Sequence, residues 1–105
     1  MIRAGLIILI VTFALAVPPK AYADKDTACE AYALGAMRQI QKAGKYKNCA
    51  QRGFFKGARW TNSFSYHFDG CARRYVSGST AHQAFTIPER KARDGELQRC
   101  VVQSF

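Results

Sequence analysis

Four cysteines in a chain of 105 residues constrain this fold more than any other feature. They are Cys29, Cys49, Cys71 and Cys100, an even number, and no two of them form a close C-x-x-C pair. A zinc site usually supplies such a pair. An even count in a short exported chain reads instead as a framework of two disulfides. No metal and no cofactor is expected.

Disulfides require an oxidising compartment, and the first residues provide a route to one. Met1, Ile2 and Arg3 make a short positive start, Leu6 to Val17 is an apolar run, and Pro18 and Pro19 precede the triplet Ala21-Tyr22-Ala23. These are the three parts of a secretory signal, with cleavage expected between Ala23 and Asp24. A retained membrane anchor would need ~20 apolar residues, more than this run holds. No cysteine follows the cut to carry a lipid. The expected organisation is a signal peptide over 1–23 and one domain over 24–105. The protein is expected to be exported, to the periplasm or outside the cell, with no transmembrane segment in the mature chain.

The formal charge of the whole chain is +9, and removing Arg3 and Lys20 with the leader leaves +7. Only seven Val, Ile and Leu remain beyond residue 23. Even with the Phe residues added, this falls below the ~20% under which a highly charged chain is suspected of disorder. A domain this small buries too little surface to be safely stable unaided, so the disulfides must staple it.

The fold class read from the pattern is all-α, a small three-helix domain. The first helix is TACEAYALGAMRQIQKAG, with Thr27 and Glu30 in a capping-box spacing. Its apolar stripe is Cys29, Tyr32, Ala33, Ala36, Met37, Ile40 and Ala43, and Gly44 marks its end. Residues 45–59 are expected to be a loop. The second helix is expected to begin near Thr61 to Ser63, with Trp60, Phe64, His67, Phe68, Cys71 and Tyr75 along one side. A bend at VSGST follows, opening a short helical turn through Phe85. The third helix is expected to open at Thr86, with Pro88 in its first turn and an inner side of Ala92 or Arg93, Leu97, Cys100 and Val101. Asp94-Gly95 is its weak spot. Helices joined by short links run antiparallel to their neighbours. Cys29, at the start of the first, should then meet Cys71 at the end of the second. Cys49 and Cys100 should meet at the opposite end. Cys29–Cys71 and Cys49–Cys100 are the favoured bridges among three connectivities.

The stretch GARWTNSFSYHFDGC, residues 57–71, holds the residues most easily taken for a reaction centre. A catalytic Cys71 with His67 as its base would need a free thiolate, and on a helix Asp69 points away from both. The structural reading is preferred: His67 packs beside the Cys71 disulfide and donates to a backbone carbonyl, and Trp60, Phe64, His67 and Cys71 build the core. His82 is a lone histidine in a bend. No Gly-rich phosphate loop, H-E-x-x-H or carboxylate pair is present, so no catalytic residue is assigned. The basic residues Arg52, Lys56, Arg59, Arg73 and Arg74 alternate with Phe54, Phe55, Trp60, Tyr66 and Tyr75, a mixture suited to anionic surfaces or stacking partners. The plain alternative is a solvated basic surface that aids solubility.

The run C-x-x-Y-A-x-x-A-x-x-Q from Cys29 to Gln39, then Cys49, G-A-R-W (57–60), S-F (63–64), H-F-D-G-C (67–71) and a last Cys100, resembles a family of small exported proteobacterial proteins. Their pattern is a YA-A-Q helix, a cysteine, G-P-R-W, H-F-x-W-C and a final cysteine. Ala58 stands where that family has proline and Gly70 where it has tryptophan. The family carries no assigned activity, so the resemblance implies a fold and no chemistry. A second resemblance lies in the tail. H-x-x-x-C-x-x-R-Y-x-S (67–77), Phe85 and D-G-x-x-x-x-C (94–100) are similar to the end of small lectin-like immunoreactive proteobacterial antigens, though with longer spacing and without their Tyr-rich middle. That resemblance implies that Trp60, Tyr66 and Tyr75 stack on sugar faces while Arg59, Arg73 and Arg74 hold acidic groups.

The expected function is that of an exported, non-enzymatic binding protein associating with anionic or carbohydrate material of the cell envelope. Its site residues are Arg59, Trp60, Tyr66, Arg73, Arg74 and Tyr75. The alternatives are a protein-interaction module, such as an inhibitor or an accessory subunit, and, last, a small hydrolase or redox enzyme. Nucleic acid is not an expected partner of an exported chain.

Overall fold

The computed structural model describes residues 23–103, and the signal-peptide expectation, but for Ala23, lies outside them. The described residues form four α-helices and a 3-10 turn, with no strand: α1 Lys25–Ala43, α2 Lys47–Gln51, the 3-10 turn Ala58–Trp60, α3 Phe64–Ala72 and α4 Gln83–Gln103. Three long helices carry the fold, as the sequence implies, and α2 and the 3-10 turn lie inside the expected loop. None of the described helices is long and apolar enough to cross a membrane.

α1 is capped by Asp24, whose side chain accepts from the Thr27 N–H at 2.8 Å. This replaces the expected Thr27–Glu30 box: helical winding starts at Lys25, so Thr27 lies inside the first turn and donates its N–H. That hydrogen bond holds the Asp24 carboxyl below its ordinary range. The buried face of α1 is Cys29, Ala33, Ala36, Gln39 and Ala43, and its alanines let other helices approach closely. α3 starts where expected, with the Ser63 hydroxyl accepting from the Tyr66 N–H at 3.2 Å.

α4 starts three residues before the expected Thr86. The turn at 80–82 already coils, with Gln83 N–H bonded to the Thr80 carbonyl and Thr86 N–H to that of His82. Thr86 is therefore a buried helical residue and not a cap. Pro88 falls inside the helix, where it has no N–H to offer Ala84. Asp94-Gly95 does not break the helix: Asp94 accepts from Gln39 Nε2 at 2.7 Å, which ties this turn to α1.

α1 packs most extensively on α3, and α4 packs on α1 and on the 3-10 turn. α3 runs antiparallel to α1, with Cys29 bonded to Cys71 and Tyr32 edge-on to His67. α4 runs in the same sense as α1, placing Tyr32 beside Phe85 and Gln39 beside Arg90 and Asp94. The second bridge, Cys49–Cys100, closes the other end. Both favoured disulfides are formed, and among the described residues no cysteine is free.

Apart from the disulfides and the buried Ala33 and Ala36, the apolar core is one small cluster: Ala43, Trp60 and Leu97, with Ile40 and Phe55 packed against them. Trp60 enters it from the 3-10 turn and meets the Phe55 ring edge-on at 4.8 Å. The expectation that Phe64 joins this core is corrected. Phe64 is 38% exposed and stacks on Phe68, because it lies in the first turn of α3, where residues 64–66 are all exposed.

Candidate functional site

A buried polar network ties the elements of the fold together. The guanidinium of Arg93, at 0% exposure, lies between α1, α4 and the 3-10 turn, with no carboxylate bonded to it among the described residues. Its Nε donates to Gln39 Oε1. One terminal nitrogen donates to the Arg59 carbonyl at 3.2 Å and the other to the Tyr32 hydroxyl at 3.1 Å. A buried charge must be surrounded by partners, and here they are neutral acceptors. Gln39 is fixed in turn by donating to the Arg90 carbonyl and to Asp94. The sequence left Ala92 and Arg93 as alternatives for the inner position; Arg93 takes it, and Ala92 is half-buried.

This network holds the backbone of Arg59, and with it one wall of a cleft of about 470 Å³. The cleft runs between the 3-10 turn, α3 and the first turns of α4. Four of the six expected site residues border it: Arg59, Tyr66, Arg73 and Arg74, joined by Lys56, which the charge pattern also marked. Trp60 is not among them. It is buried, and its Nε1 donates to Glu96 at 2.8 Å, so it belongs to the core and not to a stacking surface. Tyr75 lies beyond the end of α3, with its hydroxyl on the Ala23 carbonyl and its ring against His82, away from the cleft.

The cations of the cleft differ in what already holds them. Arg59 forms a two-pronged pair with Glu89, Nε to Oε1 and a terminal nitrogen to Oε2, both 3.2 Å. Arg74 lies over the Phe85 ring at 3.9 Å and donates to the Gly70 carbonyl. Lys56 and Arg73 are exposed and make no ion pair among the described residues.

The rim at 53–57 alternates left-handed residues: Gly53, Phe55 and Gly57 all have positive φ. For Phe55 this conformation is costly. Its N–H donates to Glu96 Oε2 at 2.6 Å, and the same carboxylate takes Trp60 Nε1 on its other oxygen. Glu96 therefore pins the rim to α4. On the floor, a Cβ at Gly70 would come within 3.2 Å of the Phe85 ring. A larger residue here would press on Phe85 and fill the cleft.

His67 stands at the inner wall, 3% exposed, with Nε2 hydrogen-bonded to the Thr61 carbonyl at 2.7 Å. This is the carbonyl contact expected of it. Burial pushes its pKa below the ordinary histidine range, opposed by the Thr61 carbonyl and reinforced by the nearby charge of Arg93. Cys71 is in the disulfide, and Asp69 is exposed on the far side of α3. Glu89, which the T-x-x-E spacing from Thr86 marks only as a helix cap, and Glu96, which the sequence pattern did not single out, are the carboxylates of the cleft; only the fold of the 53–60 segment over α4 places them there.

Compared with family models, with curated proteins and with solved structures, the chain finds no match in any of the three.

Proposed function

We propose that this chain is an exported binding protein that associates, without catalysis, with anionic or carbohydrate material of the cell envelope, and that it does so through the cleft between the 3-10 turn and α3. The observation that carries this reading is the convergence of Lys56, Arg59, Arg73, Arg74 and Tyr66 on one concavity. Three of those four cations, Lys56, Arg73 and Arg74, have no carboxylate partner within the described residues, and of these Arg74 is held on the Phe85 ring and the Gly70 carbonyl. The titratable groups of the cleft already serve the fold: the Arg59 fork takes one acceptor position on each oxygen of Glu89, both oxygens of Glu96 accept N–H groups, and His67 Nε2 is on Thr61. A general acid or base must instead reach the reacting atom.

The test is retention on an immobilised anionic envelope polysaccharide during a salt gradient. Lys56→Gln with Arg73→Gln should elute at lower salt than the parent and with a shallower salt dependence, since exposed charges are screened beyond ~10 Å at 0.1 M salt. Its melting temperature should stay the same, because neither side chain makes an ion pair that folding depends on. Unchanged retention of a folded double variant would remove the cleft from any such function.

A further inference from the structure

We infer that the cleft accepts one acidic sugar unit, a hydroxylated ring bearing a carboxylate, in preference to a bare inorganic anion or a neutral sugar. The inference rests on the cleft being the ligand site. Its size is the first argument. About 470 Å³ is within the ~300–1,000 Å³ of sites that enclose discrete small ligands. It is a place for a unit, whereas a polymer held by charge alone needs only a flat basic face.

The second argument is the mixture of charges. Lys56 and Arg73 bring unneutralised positive charge to the cleft, yet Glu89 and Glu96 border the same space. A compact phosphate or sulfate would gain from the cations and be repelled by the carboxylates. A sugar acid separates its functions: its carboxylate meets Arg73 and Lys56, and its hydroxyls donate toward Glu89. That carboxylate is 22% exposed, and each carboxylate has about four acceptor positions, of which the Arg59 fork fills two.

The third argument is Tyr66. The residue is 47% exposed and borders the cleft, and its ring packs edge-on against His67 alone among the described rings. A large ring held at one side and open at the other offers a rigid surface for the C–H face of a sugar at low entropic cost. No anion alone would use it.

The experiment is an NMR titration of the oxidised protein with galacturonate, galactose and inorganic phosphate at one fixed ionic strength. Galacturonate should bind at least about tenfold more tightly than either of the others, with shifts at residues 56–59, 66–74 and 85–89; tenfold is a readily resolved difference in Kd. Tyr66→Ala should weaken galacturonate about tenfold, as truncation of an aromatic contact residue does, and leave the weak phosphate binding unchanged. Arg73→Gln should reduce galacturonate to the level of galactose. Both side chains are exposed, and an unchanged melting temperature confirms that each variant is folded. A galacturonate trimer that binds at least as tightly as the monomer assigns the unit to a polymer; a monomer that binds alone assigns a free sugar acid. Phosphate binding as tight as galacturonate, or a Tyr66→Ala variant that binds galacturonate like the parent, overturns the inference while the polymer-retention result stands. A parent protein that is not retained on the polysaccharide and binds none of the three small ligands overturns both.

Discussion

Replacing Arg93 with methionine tests the centre of the fold. Methionine keeps much of the volume and removes the charge and all the donors. Three acceptors then lose their N–H: Gln39 Oε1, the Arg59 carbonyl and the Tyr32 hydroxyl. They are not equivalent. The bond to Gln39 is buried, and the other two are partly buried, so water can replace part of what those two lose. One fully orphaned acceptor and two partly rehydrated ones give a loss of about 2–4 kcal/mol, at ~1–3 for each unsatisfied buried group. For a domain of this size each kcal/mol lowers Tm by about 4–8 °C, so the melting temperature should fall by roughly 10–25 °C. The assay is thermal unfolding by circular dichroism with the disulfides intact. Adding Gln39→Leu removes the orphaned acceptor itself, so the double variant should lose less than the two single variants together. A drop below about 4 °C for Arg93→Met, or strict additivity, would refute the view that Arg93 is held by these acceptors and organises the core.

Other expected outcomes follow from neighbouring contacts. Trp60→Phe keeps the contact with Phe55 but removes the donor to Glu96, and should cost about 1.5–3 kcal/mol, the range for a hydrogen bond to a charged group; Trp60→Ala should cost about 3–5 kcal/mol, both read from denaturant midpoints. Because the folded pKa of His67 is lowered by burial, the unfolded chain binds a proton that the folded one resists. Stability should then be full above the ordinary histidine pKa of about 6.5 and decline as the pH falls through the lower folded value. A His67→Gln variant should show a flatter profile over the same pH series. Reducing both disulfides should unfold the domain or loosen it severely, since each closes a loop worth about 3–4 kcal/mol; native amide exchange before and after reduction reads this directly.

The disulfide pairing was legible because it depends only on helix order and direction, which the spacing of apolar residues and the short links carry. The place of His67 was legible for a similar reason: an even set of cysteines takes Cys71 out of chemistry and leaves the imidazole needing a partner. Phe64 misled because a helical stripe describes one element at a time and does not show that the first turn of α3 is left uncovered by its neighbours. The Arg93 network was hidden more deeply. Gln39 appears in the sequence as the last residue of the Y-A-A-Q run, but its purpose is visible only when α4 lies beside it. A long cationic side chain near an inner position reads equally as outward-facing, and only tertiary packing supplies the acceptors that make it buried. The start of α4 was missed because a proline normally marks a first turn, whereas the coiling at 80–82 begins the helix before it.

The two bridges span overlapping stretches of the chain, 29 to 71 and 49 to 100. Between Cys29 and Cys100 no peptide bond lies outside both loops. A protease that cuts once anywhere in this range, the exposed turn at 76–78 included, leaves a nicked molecule whose two pieces are still covalently joined. The cut ends cannot diffuse apart, and the cleft walls, drawn from both sides of that turn, stay at high effective concentration. Wherever the chain meets a protease, the crossing of its loops turns what is normally the first step of degradation into a tolerated scar.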